Sequence, residues 1–405
     1  MSRMCLMPFS HIVVTETGTV SPCCKFDIQK KNPSWKEHTL YNKNIEELFY
    51  QPAMENLRTQ FLNGEEPIEC NACWVEEKAG IKSLREHRTG LTQTRAHSSK
   101  YKNIQTDPRI VTIDFKFSSL CNLKCRICGP YLSSTWLKEA SELKTYDEDV
   151  IQSFTKNAER KFFENETNFE IFKQILPQLH ILEFYGGEPF MQPEHEKIMN
   201  ILNDYQGIEN INLELFYNTN GTYYNDSLTQ IWKKMGSVEL NISLDDIEGR
   251  YEYQRHPAKW SRVVENVEQF KRNCSPNVNI SLYVTISLYN IFYLADFLVY
   301  NANNFKLPIR FNLVHYPTHM SVVHLPNTIK SIVSAKLKAL TDNEIMYVDQ
   351  TQGFTIDNVL QFMNDNLRSE DLWQKFLDTT EKHDAYRNES FHVTFTEFVN
   401  HFKNE

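Results

Sequence analysis

Three cysteines in one short loop constrain this chain more than any other feature of its sequence. Cys121, Cys125 and Cys128 directly follow residues 111–117, a run rich in the β-branched and aromatic residues of a strand. The C-x3-C-x2-C spacing lets three thiolates reach one iron–sulfur cube, and the loop contains no fourth cysteine. Because a [4Fe–4S] cube normally takes four protein thiolates, three would leave one iron open to an external ligand.

Two ordinary explanations fit these three cysteines less well. A structural zinc site needs four nitrogen or sulfur ligands, and His87, His97 and His180 are distant in the sequence. A disulfide would leave one cysteine over and would need an oxidising compartment. The spacing and the position after a strand therefore favour an iron–sulfur cluster.

A second group of cysteines lies near the N-terminus. Cys5 precedes a predicted β-hairpin that turns at Gly18, and Cys23 ends it. A helical stretch then leads to Cys70 and Cys73, which form a C-x2-C knuckle. Four such cysteines suit either a tetrahedral zinc ion or a second cluster, and the ligand count alone does not decide between the two.

From residue 109 the chain repeats the order strand, loop, helix. The predicted strands are residues 111–117, 180–185, 212–217, 238–243, 277–286 and 309–314. Strands that alternate with helices indicate a parallel sheet with helices outside it. The predicted fold class is therefore α/β, a partial (β/α)6 TIM-like barrel with an N-terminal cysteine-rich β-hairpin/helix module and a helical C-terminal tail.

Unusual polar stretches follow the first four of these strands. They are the Cys121 loop, residues 186–189, residues 218–221 and residues 243–246. In parallel β/α barrels the chemistry lies on loops at the carboxyl ends of the strands. We therefore expect these loops to face one another across a single rim.

The sequence predicts four segments. Residues 1–82 form the cysteine-rich module, residues 83–108 a basic linker, residues 109–325 the barrel and residues 326–405 a helical extension. The basic residues near the linker are interpreted as a solvated surface rather than a nucleic-acid or acidic-partner patch.

Composition restricts the compartment and the partners. A net charge of −9 argues against general nucleic-acid binding. No apolar run approaches the roughly 18 residues of a membrane helix, and the N-terminus lacks the apolar region of a signal peptide. Nine cysteines held as thiolates fit a reducing compartment, so we expect a cytoplasmic protein without a membrane partner.

Two motifs together resemble those of a known family. The C-x3-C-x2-C loop follows the first barrel strand, and Tyr185-Gly186-Gly187-Glu188-Pro189 ends the second. This arrangement resembles the radical S-adenosylmethionine (SAM) enzyme superfamily. The resemblance implies that the open iron chelates the amino and carboxylate groups of SAM, and that Gly186, Gly187, Glu188 and Pro189 contact this cofactor.

The resemblance extends to further positions. Ile127 stands where the family usually has an aromatic residue that packs near the adenine, and Ser243 and Arg255 resemble ribose- and carboxylate-contacting positions. Asn220, after the third barrel strand, is grouped with these cofactor candidates. The candidates for substrate or proton chemistry are Asp245, His315 and Tyr316.

The N-terminal cysteines are similar to the opening of the SPASM auxiliary-cluster pattern. Cys5 is followed by twelve residues and Gly18, and then by four residues and Cys23, before the distant Cys70-x2-Cys73. The pattern's second half is missing, so the resemblance is to the shortened twitch version with one auxiliary [4Fe–4S] cluster. Such modules usually follow the barrel, whereas here the module precedes it. Cys24 is interpreted as a bystander.

The resemblance implies a reaction and its partners. The cluster on Cys121, Cys125 and Cys128, reduced by a partner such as flavodoxin or ferredoxin, would cleave SAM to a 5′-deoxyadenosyl radical. That radical would abstract hydrogen from a substrate, first of all a peptide or protein side chain. A nucleotide or other small metabolite is the alternative substrate, and a non-enzymatic zinc-binding protein is a third hypothesis.

Overall fold

The computed structural model describes residues 3–27, 35, 39–78, 82–159, 166–349, 355–365 and 367–402. Its strands are β1 (His11–Val14), β2 (Val20–Ser21), β3 (Thr112–Phe115), β4 (Ile181–Phe184), β5 (Glu214–Thr219), β6 (Ser237–Ser243), β7 (Val278–Ile286) and β8 (Ile309–Leu313). Within the described residues they form one sheet in the order β2-β1-β3-β4-β5-β6-β7-β8.

The α-helices of the N-terminal half are α1 (Met7–Ser10), α2 (Ile45–Phe49), α3 (Pro52–Leu62), α4 (Asn71–Lys78), α5 (Leu84–Thr94), α6 (Trp136–Glu142), α7 (Glu148–Glu159), α8 (Glu166–Ile175), α9 (Pro193–Asp204) and α10 (Ile208–Ile211). Those of the C-terminal half are α11 (Asp226–Trp232), α12 (Glu248–Gln254), α13 (Trp260–Asn273), α14 (Leu294–Asn303), α15 (Asn327–Lys338), α16 (Asp342–Ile345), α17 (Ile356–Met363), α18 (Glu370–Arg387), α19 (Phe391–Thr394) and α20 (Thr396–Phe402). Short 3-10 turns lie at Ile68–Cys70, Leu176–Gln178, Pro189–Met191, Ile291–Tyr293, Thr318–Met320 and Val322–His324.

The sheet is mostly parallel. Strand β1 pairs antiparallel with β2 and parallel with β3, and the pairs β3–β4, β4–β5 and β7–β8 are parallel. Helices separate the strands along the chain from β3 onward. The predicted α/β fold class is therefore confirmed, and all six predicted barrel strands are present within three residues of their predicted ends.

The predicted N-terminal hairpin is present, and it also extends the sheet. Residues His11 to Val14 pair in register with Thr112 to Phe115. All four residues of β1 are buried. A strand that is buried on both faces is typical of a parallel sheet, which explains why β1 joins β3 and does not remain in a separate hairpin.

The chain divides into two compact units, of which the first comprises residues 1–120, 155–217 and 230–238. One face of its sheet carries an aromatic ladder. Phe115, Phe184 and Tyr217 are register partners on β3, β4 and β5, with ring centroids 5.7 and 5.0 Å apart along the ladder. Stacked aromatic neighbours on adjacent strands stabilise both the register and the core.

The opposite face of this sheet is polar and buried. Asp114 and Glu183 are register partners on β3 and β4. His11 Nε2 lies 2.8 Å from Asp114 Oδ1, and Arg88 Nη2 lies 2.8 Å from Glu183 Oε1. Buried carboxylates need such partners because an unpaired buried charge is costly.

The segment predicted as a basic linker contains helix α5. Ser83 caps this helix in a capping box with Glu86. Its basic side chains form ion pairs within this unit, Arg85 with Glu77, Arg88 with Glu183 and Arg95 with Glu214. Three of the charges that suggested a solvated linker are thus paired with carboxylates, two of which, Glu183 and Glu214, are distant in the sequence.

The second unit comprises residues 121–154, 218–229 and 239–405. Its C-terminal helices pack on an aromatic cluster in which Phe391 contacts Tyr289, Phe376 and Phe398. The C-terminal segment is helical, as predicted. None of the helices in the described ranges has the length and apolarity that a membrane crossing requires.

Candidate functional site

The C-x3-C-x2-C loop belongs to the second unit and lies between β3 and α6. Cys121 is buried, and Cys125 and Cys128 are half-buried. The Cys128 N–H donates to the Cys125 carbonyl at 2.9 Å, which folds the end of the loop into a tight turn. The Leu123 N–H lies 3.5 Å from Cys121 Sγ, so the backbone also offers a donor to one thiol.

Two side chains predicted as cofactor contacts lie beside these sulfurs. Asn220 Nδ2 is 3.8 Å from Cys121 Sγ, and Arg255 Nη1 is 3.9 Å from Cys125 Sγ. Asn220 also donates to Asn122 Oδ1 at 2.9 Å, and this contact fixes the amide against the loop. Within the second unit, the structure thus brings the cysteine loop together with the ends of β5 and α12.

Arg255 is held by Asp245, a predicted catalytic candidate. Arg255 Nη2 lies 2.6 Å from Asp245 Oδ2, and both side chains are buried. The other carboxylate oxygen, Oδ1, accepts the Thr285 N–H at 2.9 Å. Asp245 therefore has a donor on each oxygen and orients the guanidinium toward Cys125.

Burial determines the protonation of the thiols. Desolvation raises the pKa of Cys125 and of Cys128 above the usual thiol value. Metal ligation needs the thiolate, so these residues favour the neutral thiol in the absence of a metal. The nearby Arg255 guanidinium acts in the opposite direction on both pKa values, because it stabilises the anion.

The Gly-Gly-Glu-Pro stretch belongs to the first unit and follows β4. Gly186 and Gly187 have positive φ angles of 81° and 56°, a backbone region that favours glycine. The Glu188 N–H donates to the Leu120 carbonyl at 2.9 Å. A Cβ on Gly187 would lie 2.2 Å from that same oxygen, so glycine is required for this close approach.

Glu188 and Gln192 complete this loop. The Glu188 side chain is fully buried, and its Oε1 accepts the Phe190 N–H at 3.3 Å. Gln192 donates to the Leu120 carbonyl at 2.9 Å and accepts from Ser118 Oγ at 2.7 Å. The loop is thus tied to Leu120, the residue that precedes Cys121 in the chain.

The four predicted auxiliary cysteines surround one cavity in the first unit. The cavity is lined by Cys5, Cys23, Cys70 and Cys73 together with Met7, Lys25, Phe61, Leu84 and Arg85. Across the part of the chain that the structure describes, no three His, Cys, Asp or Glu side chains are placed to hold a single metal ion. The thiols instead share this enclosed space, to which the hairpin and the C-x2-C knuckle both contribute.

Cys24 differs from this group in its exposure and its position. Burial raises the pKa of Cys5 to about 12, and the Cys73 thiol nearby adds to the shift. Cys24 is exposed and does not line the cavity. Its interpretation as a bystander stays a prediction.

The remaining predicted residues are less enclosed. Ile127 and Ser243 are half-buried, whereas His315 and Tyr316 are exposed. The Tyr316 ring lies 6.2 Å from the Tyr131 ring. Burial raises the pKa of Tyr131, and Cys128 and Tyr146 add to the shift because they lie nearby. Tyr131, Tyr146 and Tyr316, called here the tyrosine cluster, thus lie beside the cysteine loop.

Sequence reasoning missed several residues that hold these loops. Asn122 Nδ2 donates to Thr222 Oγ1 at 3.0 Å, and Gln192 anchors Leu120 as described above. Arg126, inside the cysteine loop, is almost fully buried although it carries a charge. Its charge and its place between two predicted ligand cysteines were the only signal of a structural role. Nothing local in the sequence identifies the residues that it contacts.

The two segments that contain the cysteine groups each match a known protein family. Residues 115–296 match the radical SAM superfamily, and residues 5–74 match SPASM, an iron–sulfur cluster-binding domain. The family prediction, including the N-terminal position of the auxiliary module, is thereby confirmed. The matched domains imply the predicted cofactors, [4Fe–4S] clusters and SAM.

Solved structures show more distant likenesses. The chain is 19% identical to anSMEcpe with bound AdoMet, over 50% of this chain and 51% of that chain, with a TM-score of 0.37. It is 15% identical to Streptococcus suis SuiB bound to S-adenosylmethionine, over 72% and 61%, with a TM-score of 0.37. For SuiB bound to the precursor peptide SuiA the identity is 15%, over 61% and 52%, with a TM-score of 0.30. The chain thus spans about half the length of the anSMEcpe structure. No curated protein matches the sequence.

Proposed function

Because this chain carries a radical SAM domain with a SPASM domain before it, we propose that it is an enzyme that reductively cleaves SAM and abstracts hydrogen from a substrate. Cys121, Cys125 and Cys128 would hold the SAM-binding [4Fe–4S] cluster. When bound and reduced, this cluster supplies the electron that splits SAM into methionine and a 5′-deoxyadenosyl radical. The protein's own residues hold, orient and shield the reacting groups.

The N–H donors beside the cysteine sulfurs carry this proposal. Asn220 and Arg255 place donors 3.8 and 3.9 Å from the sulfurs of Cys121 and Cys125. Hydrogen bonds to cysteine sulfurs are one of the means by which proteins set the potential of an iron–sulfur cluster. Three cysteines with such donors are a ligand set that fits a cluster with one iron open to SAM.

We assign the cofactor contacts by the same reasoning. Residues 186–189 would bind SAM, because two left-handed glycines let the backbone approach closely and Glu188 is fixed to Leu120. Ile127 and Ser243 would offer an apolar face and a hydroxyl group to the nucleoside. Arg255 would face the cofactor carboxylate, with Asp245 as its positioning residue.

The auxiliary site would hold a second [4Fe–4S] cluster on Cys5, Cys23, Cys70 and Cys73. Four thiols around one cavity provide a full ligand set for a cube. A fully ligated cluster has no open iron for a substrate, so its role would be to accept an electron from the product radical.

The substrate we propose is a peptide or protein side chain. The tyrosine cluster beside Cys128 supports this, because aromatic rings with polar tips suit extended peptides, and one of the three rings, that of Tyr316, is exposed. His315 and the exposed Tyr316 would contact this substrate. A nucleotide or other small metabolite is the second candidate, but the four-thiol auxiliary cavity does not favour direct ligation of such a substrate.

The cell would have to keep these thiols reduced. The described cysteines are all free, and cysteine ligands persist in reducing compartments. We therefore propose the cytoplasm as the location and a flavodoxin or ferredoxin as the electron donor. The segment boundaries at residues 82, 108 and 325 remain part of this proposal.

The test is formation of 5′-deoxyadenosine after anaerobic cluster reconstitution, with SAM and a strong reductant. The wild type is expected to form it, and the Cys121→Ala/Cys125→Ala/Cys128→Ala variant is expected to form none. Cys274→Ala is the matched control, because Cys274 is a free cysteine outside both groups. Equal product from wild type and triple variant would contradict the proposal.

Metal analysis of the same samples separates the non-enzymatic hypothesis. A zinc-binding protein would contain zinc and no acid-labile sulfide. Iron and sulfide in equal amounts, with less of both in the triple variant, would support the cluster assignment.

A further inference from the structure

We propose that the C-terminal end of α18 and the turn after it position the cysteine loop that binds the SAM cluster. The residues concerned are His383, Asp384, Arg387 and Glu389, called here the C-terminal clamp. They lie outside both family matches, which end at residues 74 and 296. This inference rests on the proposed function, because the loop has a cluster to hold only if that function is correct.

The first contact of the clamp is with Arg126, inside the loop between Cys125 and Cys128. Its Nη2 lies 2.6 Å from Asp384 Oδ1 and also donates to Glu389. The guanidinium lies over the Tyr253 ring at 3.7 Å, and the side chain is 1% exposed. The Arg126 N–H also donates to the Gln254 carbonyl at 2.8 Å.

The partners of Arg126 are themselves fixed. Tyr253 donates its hydroxyl to Asp384 Oδ1 at 2.7 Å. His256 Nδ1 lies 2.6 Å from Glu389 Oε1, and the His256 carbonyl accepts the Lys124 N–H at 2.8 Å. The two carboxylates therefore join the loop to the end of α12 and to the C-terminal segment in one network.

The second contact of the clamp is with Glu139 on α6, whose side chain is almost completely buried. Glu139 Oε1 lies 2.6 Å from His383 Nδ1 and 3.0 Å from Arg387 Nε. Glu139 Oε2 lies 2.7 Å from Lys124 Nζ, and Lys124 immediately precedes Cys125. The clamp thus reaches the residue on the other side of Cys125.

Helix α6 adds a direct contact with the ligand loop. Trp136 donates its indole N–H to the Cys125 carbonyl at 3.1 Å. The Arg387 guanidinium lies over the Trp136 ring at 4.6 Å, and His383 contacts the ring edge. Residues 383 and 387 lie on the same helix face because they are four apart.

Both residues that flank Cys125 are therefore held by ion pairs. Arg126 pairs directly with the C-terminal clamp, and Lys124 pairs with Glu139, which in turn pairs with the clamp. Charges buried to this degree must be paired, so the network stays closed only while every partner is present. Arg126 and its partner Asp384 lie 258 positions apart in the sequence. The C-terminal segment would consequently fix the positions of Lys124 and Arg126, and through them that of Cys125.

The test compares iron release from the reconstituted full-length protein to a ferrous chelator. Asp384→Asn/Glu389→Gln removes the carboxylates that hold Arg126 and is expected to release the SAM-site iron about 10- to 100-fold faster, the usual loss for groups that support metal ligands. Asp378→Asn is the matched control, because Asp378 is exposed on the same helix and accepts a hydrogen bond from the exposed Gln374. It is expected to release iron at the wild-type rate.

The auxiliary cluster provides an internal control. Its cysteines belong to the other unit of the chain, so the double variant is expected to keep that half of the iron. Adding SAM is expected to change the electron paramagnetic resonance signal of the SAM-site cluster. In the double variant this change is expected to disappear as the iron is lost.

Several results would overturn the inference. One is a double variant that keeps the SAM-site iron at the wild-type release rate. Another is simultaneous loss of both clusters or of the far-ultraviolet circular dichroism spectrum, because a merely structural helix predicts general unfolding. Glu389→Gln alone, which leaves the Asp384 contact, is expected to give a smaller but selective loss. A wild type without iron that depends on Cys121, Cys125 and Cys128 would contradict the proposed function and not the clamp alone.

Discussion

Arg255 Nη2 lies 2.6 Å from Asp245 Oδ2, and both side chains are buried. Asp245→Asn would leave the guanidinium without its counter-charge. We expect this variant to lose about 3–5 kcal/mol of unfolding free energy, the usual cost of breaking a buried pair. Urea denaturation of the metal-free protein measures it.

A surface pair provides the control for this prediction. Asp296 lies 3.6 Å from Arg250 and is 42% exposed, so Asp296→Asn is expected to cost less than about 1 kcal/mol. A loss that small in Asp245→Asn would show that the ion pair between Arg255 and Asp245 does not stabilise the fold.

Gly187 tests the close approach of the Gly-Gly-Glu-Pro loop to Leu120. An alanine Cβ would lie 2.2 Å from the Leu120 oxygen, so Gly187→Ala must displace the backbone just before Cys121. Gly64→Ala is the control, because Gly64 also has a positive φ but a Cβ there meets nothing within 4 Å. We expect Gly64→Ala to cost about 1–2 kcal/mol from backbone strain alone, and Gly187→Ala to cost more and to bind less iron. Equal losses would argue against a tight contact.

His195 predicts a dependence of stability on pH. It is buried among aromatic rings, and desolvation lowers its pKa to about 3 in the folded state. The ordinary pKa of 6.5 applies to the unfolded chain. The contribution of this pKa shift to the free energy of unfolding is therefore fully present above about pH 6.5 and is lost as the pH falls toward 3. Between pH 7.5 and 5.0 the loss from this group should be about 2 kcal/mol.

The comparison is with His195→Gln, whose amide does not titrate. The difference in unfolding free energy between wild type and variant should narrow by that amount as the pH falls from about 7.5 to 5.0. His97→Gln changes an exposed histidine and controls for the loss of a titrating group as such. If the difference in unfolding free energy between wild type and His195→Gln does not change with pH, burial does not lower the pKa of His195.

The adjacent cysteines at the end of the hairpin give a matched pair. Cys23 lines the auxiliary cavity and Cys24 does not. Cys23→Ala should therefore lose iron from the auxiliary cluster, whereas Cys24→Ala should keep the wild-type iron and sulfide content. If the two variants lose equal iron, Cys24 is a ligand as well.

Local patterns predicted much of this molecule. The apolar runs indicated β3 and β4 because these strands are short and fully buried, and the alternation indicated β5 because every second residue is buried. The cysteine spacings predicted the two ligand groups. Pairing of β1 with β3 could not be read from the sequence, because a hairpin strand and a parallel strand have the same apolar content over four residues.

Contacts between distant residues could not be predicted. The basic charges of residues 83–108 suggested a linker, whereas Glu183 and Glu214 neutralise Arg88 and Arg95 on helix α5. Asp245 was predicted for substrate or proton chemistry from its place at a strand end, and its ion pair with Arg255 could not be read from the sequence. Convergence of all four strand-end loops on one rim stays a prediction, although Cys121 and Asn220 do lie together.

The central claim is that Cys121, Cys125 and Cys128 hold a cluster with one iron open to SAM. Electron paramagnetic resonance tests it most directly on a reduced variant in which Cys5, Cys23, Cys70 and Cys73 are alanine. We predict one [4Fe–4S] signal whose g values shift when SAM is added. An iron–sulfur signal that SAM leaves unchanged, or the absence of any cluster from a folded variant, would contradict the claim.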